Sequence, residues 1–223
     1  QTSTADSTDC YANQMVMTNQ KVTNPNLLDN WYFVGGGSQQ GGEQFPINQR
    51  GQTSYGAATY TIDRWFNENS NAAMQVNSNS ITFSESSGSS YAVLLQKCNR
   101  ATLDNLLGKV ATFSVLTAGG LYSDTFTFPA NTNTDFKSQD LLIAPGVVAC
   151  FSLFFANQSY QLCRVVATDG SSVNLIAVKL ELGTMQTLAH QENNVWVLNE
   201  IPDYDEQLYR CKTSTADSSD NYA

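Results

Sequence analysis

The chain has 223 residues, 41% of them hydrophobic and only 14% charged, with a formal net charge of −9. That apolar content supports a real core, in one sandwich domain or two small ones, and polarity carried by Asn, Gln, Ser and Thr suits an all-β extracellular or virion-type module better than a helical cytosolic enzyme. The acidic balance argues against nucleic acid, whose phosphates need a basic face, and against anionic membranes; no run approaches the ~18 apolar residues of a spanning helix.

Residues 1–23 are polar, rich in Ser and Thr, and without periodicity, and read as an N-terminal connector. They carry neither the basic nor the apolar region of a signal peptide, and no initiating Met, as expected of a processed product or a segment of a longer polypeptide. The opening QTSTADSTDCYA recurs at 212–223 as KTSTADSSDNYA. Asp9 and Tyr11 keep register with Asp220 and Tyr222, which points to a connector used on both sides of a module, or to one unit of a tandem array.

From Leu27 the text turns β-like. Trp31–Val34 is a short aromatic strand closed by three glycines. Ser38–Thr53, rich in Gly and Gln and holding Pro46, reads as a long surface loop. Strand-like runs follow at Tyr60–Phe66, Ala73–Asn77, Ser80–Ser84, Tyr91–Cys98, Lys109–Leu116, Tyr122–Phe128, Leu141–Ala144, Val147–Phe155, Tyr160–Ala167 and Val173–Leu182. Turn signals such as Pro145-Gly146 and Asp169-Gly170 separate them. About ten short strands at this spacing predict an all-β, two-sheet antiparallel sandwich with extended polar termini. Two short helices interrupt it. Ala101–Leu107 buries Leu103, Leu106 and Leu107 and ends at Gly108. Asp203–Lys212 follows Pro202, with Asp203, Asp205 and Glu206 at its positive end and Leu208 and Cys211 as its buried pair. The divisions expected are a connector at 1–23, the sandwich module at 24–201, and a short helix with a C-terminal connector at 202–223.

Chemistry is thinly supplied. The single His190 has neither an HExxH partner nor a GxSxG elbow, and no glycine motif for phosphate is present. Five cysteines (Cys10, Cys98, Cys150, Cys163 and Cys211) lack CxxC spacing, so zinc is not expected. Cys150 and Cys163 fall on adjacent predicted strands, which leaves one disulfide open, but reduced thiols fit a protein folding in a cytoplasm. Carboxylates that a glycosidase would need exist at Asp63, Glu68, Glu85, Asp124, Glu181 and Asp203/Asp205/Glu206, with no motif to single any out. Asp63 and Arg64 read as separate polar anchors rather than a catalytic couple. The positive signal is aromatic, because sugar-binding modules set flat rings beside amide and charged side chains. Tyr55 and Tyr60, with Gln49 and Arg50, are the candidate glycan-binding residues, while Trp31 and Trp65 read as core.

Four stretches carry a resemblance: Asn24–Phe33 (NPNLLDNWYF), Pro46–Tyr55 (PINQRGQTSY) with Tyr60–Trp65 (YTIDRW), Leu106–Val115 (LLGKVATFSV), and Ala177–Cys211, from AVKLELG to DEQLYRC. Together they resemble a module of tail fibre, tail spike and other virion appendage proteins from tailed bacteriophages and prophages of gut bacteria, over roughly Asn24 to Cys211. The resemblance implies a jelly roll similar to family 4/9 carbohydrate-binding modules, usually non-catalytic, with no catalytic residues to carry over. It implies a location in the virion (as tail or head fibre), other virion proteins as partners, a homotrimer, and attachment to host-surface or mucosal glycans. No nucleic acid, membrane insertion or cofactor is expected. Calcium is common in such jelly rolls, and no acidic loop motif here supplies its ligands. One departure is that the relatives follow the closing Cys with Gln-Arg-Tyr and more fibre, whereas Cys211 leads into Lys212 and the terminal echo. That leaves room for a shaft or head-fibre module, or for a purely structural capsid decoration; a glycan depolymerase is the remotest reading.

Overall fold

The computed structural model describes residues 23–36, 44–131, 135–154 and 159–213. Residues 1–22 of the connector, Cys10 among them, residues 214–223 of the terminal echo, and the Gly-rich part of the Ser38–Thr53 loop therefore lie outside the described residues, as does the side chain of Tyr160.

In chain order the strands are β1 (Ser54–Tyr55), β2 (Thr59–Tyr60), β3 (Phe66–Asn67), β4 (Ala72–Val76), β5 (Ile81–Glu85), β6 (Tyr91–Lys97), β7 (Val110–Thr117) and β8 (Gly120–Thr127). They continue as β9 (Phe136–Lys137), β10 (Leu141–Ala144), β11 (Val147–Phe154), β12 (Ser159–Thr168), β13 (Ser172–Leu182), β14 (Ala189–Glu192) and β15 (Val195–Leu198). Among the described residues the helices are α1 (Arg100–Leu106) and α2 (Tyr204–Thr213). The expected antiparallel sandwich forms from two sheets. One is ordered β1-β4-β5-β13-β7-β8, the other β10-β11-β12-β6-β3-β2 with β9 also on β11, and β14-β15 is a separate hairpin.

Alternation explains the layers. Ala111, Phe113 and Val115 of β7 and Val147, Ala149, Phe151 and Leu153 of β11 point into one shared core, with Trp31 and Trp65 buried there as expected. Phe126, Phe128, Phe136 and Phe151 form an aromatic cluster in it, with Phe128 and Phe151 4.9 Å apart edge to face. Cys163 joins that core and Cys150 does not. Cys150 pairs across the ladder with Arg164, next to Cys163, so the two cysteines point to opposite faces; both are buried thiols with no disulfide between them.

The first helix matches its sequence signals. Asn99 caps it by accepting from the Thr102 N–H, Leu103 and Leu106 are buried, and Gly108 follows in a left-handed conformation at φ 71. Leu107 is the C-cap, outside the buried pair. In α2 the buried residues are Gln207 and Cys211. Leu208, expected as half of the apolar pair, is only partly buried against Phe45, Ile47 and Cys211.

Three further expectations are corrected. Trp31–Val34 is held to β13 by one bridge, Tyr32 to Ala177, with Phe33 N–H bonding Ile176 O at 2.9 Å. Tyr60–Phe66 is not one strand, because Ile62 to Trp65 turns the chain, with Trp65 N–H on Ile62 O and Arg64 left-handed at φ 73. Finally, Phe45 to Asn48, read as exposed loop, is buried. Its anchor is Asn30, whose side chain accepts from Ile47 N–H at 2.7 Å and donates to Ile47 O at 2.8 Å and Asp63 O at 2.9 Å. The β14-β15 hairpin, with no expectation from sequence, closes over the outer face of the first sheet, where Lys179 is buried against Glu200 at 2.6 Å.

Candidate functional site

The four candidate residues do not act together. Tyr55 is 4% exposed, in the core, with its hydroxyl on Asn48 Oδ1 at 2.5 Å and its pKa pushed up to about 12 by burial. It offers no ring to a ligand, because β1 pairs with β4 and turns the side chain inward. Gln49 donates to Asp63 from both its backbone, at 3.1 Å, and its side chain, and Arg50 reaches the same carboxylate at 3.4 Å and Thr61 O at 3.2 Å. The Asp63 side chain is 4% exposed. Gln49 therefore serves chiefly to fasten the loop, and Asp63 is the anchor that satisfies its donors.

Arg50 and Tyr60 do belong to a coherent surface. Tyr60 on β2 pairs with Phe66 on β3, Phe66 with Leu95 on β6, and Leu95 with Arg164 on β12, so all four side chains line the outer face of the second sheet. The Tyr60 and Phe66 rings are half-buried and 4.9 Å apart. The Arg50 guanidinium carbon lies 5.4 Å from the Tyr60 ring centre, and Lys97 Nζ 5.7 Å from that of Phe66. A cation, two rings and a second cation thus follow one another across three strands.

At its Lys97 end the row runs into a cleft of about 290 Å³ lined by Asp29, Arg64, Lys97, Asn99, Thr102 and Arg210, among others. Arg64 Nε donates to Asp29 Oδ2 at 3.1 Å, its Nη2 to Lys97 O at 2.9 Å, and Arg210 Nε meets Asp29 Oδ1 at 2.7 Å. Cys98, on the same wall, has its thiol pushed up to about 12 by burial. Phe66, Lys97 and Arg164 were missed from sequence. The usable signal was period-two placement on paired strands, and the register that joins them is set by contacts between distant segments.

A second, more apolar groove of about 600 Å³ lies between the β14-β15 hairpin and the first sheet, lined by Tyr32, Leu116, Ile176, Trp196 and Ile201 among others. Elsewhere the polar groups have structural duties. His190 is hydrogen-bonded by Asn199 at 2.6 Å and Glu192 at 2.5 Å. Asp203 Oδ1 accepts from the Glu206 N–H at 2.8 Å, at the start of α2. Glu181 is fully buried and accepts from the Thr187 N–H at 2.6 Å. Among the described residues no three His, Cys, Asp or Glu side chains converge as metal ligands would.

These features define an antiparallel β-sandwich with an aromatic and cationic strip on one sheet face. Comparison with known proteins returns no matching family model, curated relative or solved structure.

Proposed function

We propose that this chain is a non-catalytic glycan-binding module of a bacteriophage virion appendage (a tail or head fibre), working as a homo-oligomer beside other virion proteins. The observation that carries the binding role is the Tyr60–Phe66 pair with Arg50 and Lys97 at its ends. Sugar C–H faces pack on aromatic rings, while hydroxyls take hydrogen bonds from flanking charged and amide groups. The strip lies on hydrogen-bonded strands, so little ordering is needed on binding. The virion setting rests on the sequence resemblance across Asn24–Cys211, and a trimer would multiply weak single sites by avidity.

The test is a glycan array probed with the full chain displayed multivalently, repeated with Tyr60→Ala, Phe66→Ala and Trp196→Ala. Binding that falls about tenfold in the first two and persists in the third supports the assignment. Loss with Trp196→Ala alone moves the site to the second groove. No binding by the parent leaves a structural decoration as the function, and release of reducing ends from host polysaccharide would make it a depolymerase.

A further inference from the structure

The protein as a whole repels polyanions, with 20 acidic against 11 basic side chains. The cleft at the end of the aromatic strip has the opposite sign. Three cations line it, Arg64, Lys97 and Arg210, against the single carboxylate of Asp29. Both oxygens of that carboxylate are engaged, one by each arginine, so Asp29 holds the guanidiniums in place without neutralising the cleft.

Arg64 is unusually well fixed for such a side chain. Its residue is 3% exposed, its backbone is left-handed at φ 73, and its guanidinium is tied to Asp29 and to Lys97 O. A non-glycine residue held at positive φ is strained, and the surrounding contacts must offset that strain. Lys97 completes the link, because its ammonium stands beside both the Phe66 ring and the cleft. Further along the same face, Arg164 Nε is buried and has no hydrogen-bond partner among the described residues.

We infer that the module selects acidic glycans: a sugar ring lies on Tyr60 and Phe66, and its carboxylate, sulfate or phosphate group enters the cleft beside Lys97, facing Arg64 and Arg210. This inference rests on the strip being a glycan site. It makes the local cation excess the source of specificity, since charge-assisted hydrogen bonds from guanidinium and ammonium are the strong ones. The net negative charge elsewhere then discourages adhesion to other polyanions.

The experiment uses the multivalent full chain and matched glycan pairs. The pairs are an oligouronate with its carboxyl-reduced counterpart, a sulfated oligosaccharide with its desulfated form, and a phosphorylated one with its dephosphorylated form. The expected result is that the acidic member of at least one pair binds about tenfold more tightly. Lys97→Gln is expected to bring it to the level of the neutral member, whereas Lys109→Gln, the same charge change at an exposed site, does not. The preference should also shrink with added salt. The three arms identify which anion is read. Equal binding of acidic and neutral members, lost in Tyr60→Ala, overturns the acidic selectivity and leaves the glycan site standing. An acidic preference untouched by Lys97→Gln overturns the cleft assignment. Binding of no member overturns the glycan site, and this inference with it.

Discussion

Asn30 is the residue whose removal tests the fold reasoning most directly. It is fully buried and left-handed at φ 49, a conformation that costs Asn less than it costs Ala. Its side chain makes three bonds to Ile47 and Asp63, its N–H donates to Gln207 Oε1 at 2.8 Å, and its carbonyl accepts from Trp65 Nε1 at 3.0 Å. In Asn30→Ala the Ile47 N–H and the Asp63 carbonyl lose these partners, while Ile47 O keeps the Asp63 N–H at 3.1 Å. Each stranded group costs about 1–3 kcal/mol, and Ala at positive φ adds about 1 kcal/mol. The expected loss is therefore about 3–7 kcal/mol, a large share of the ~5–15 kcal/mol that stabilises a typical domain. Urea unfolding followed by circular dichroism reads it, and Tm should fall by roughly 10–20 °C. Asn30→Gly removes the same bonds and relieves the backbone, so it should recover about 1 kcal/mol of the loss. An Ala variant within about 1 kcal/mol of the parent would refute the anchor.

Glu85 links two turns, accepting from the Ser87 hydroxyl, from the backbone of Ser87 and Gly88 at 2.7 Å each, and from Gly170 N–H at 2.8 Å. Those bonds, the Ser87 hydroxyl first, lower its pKa. Its stabilisation is then complete above the ordinary glutamate value of about 4.3 and is lost as pH falls through the lower folded value. Glu85→Gln should be less stable than the parent at neutral pH, with the gap closing in acid; a gap constant with pH contradicts this. Burial pushes the thiols of Cys98 to about 12 and Cys150 to about 11, and raises that of Cys163 well above the ordinary value. Iodoacetamide at about pH 8 should therefore leave these three unlabelled in the native protein and label all of them in denaturant, as read by peptide mass spectrometry. Gly146 sits at φ 72, and a Cβ there would stand 2.8 Å from Ser171 Cβ, so Gly146→Ala should cost about 2–3 kcal/mol in urea unfolding.

What the sequence disclosed and what it hid divide along a physical line. Runs such as Thr112-Phe113-Ser114-Val115 carry their own alternation, so the strands and the sandwich were legible from local text. Trp31 and Trp65 read as core because large rings are seldom left in water. Tyr60–Trp65 was misread because its β-type residues conceal a turn whose left-handed corner is Arg64, where glycine or asparagine would have signalled it. Phe45–Asn48 is polar loop text that becomes buried only because Asn30, seventeen residues before Ile47, satisfies its backbone. Of the strip proposed as a site, one half, Arg50 and Tyr60, was legible from residue type. The other half, Phe66, Lys97 and Arg164, depends on β2, β3, β6 and β12 lying side by side, a long-range pairing that no local window contains.

The clamp around Asp29 has a mechanical consequence. Arg210 on α2 holds the Asn26 carbonyl at 3.3 Å and Asp29 at 2.7 Å, and Gln207 holds Asn30, so the first and last described segments are fastened to each other. A tether pulling on both flanks would load these polar contacts, and the packing of Tyr204, Leu208 and Cys211 beside Phe45 and Ile47, before it loaded any ladder of the sandwich. The first element to yield is then α2, peeling from residues 26–30 and lengthening the linkage while both sheets keep their hydrogen bonds. If the module sits in a fibre, as proposed, such a clasp would act as a shock absorber, and because Arg64 shares Asp29 with Arg210, its opening would also loosen the cationic cleft.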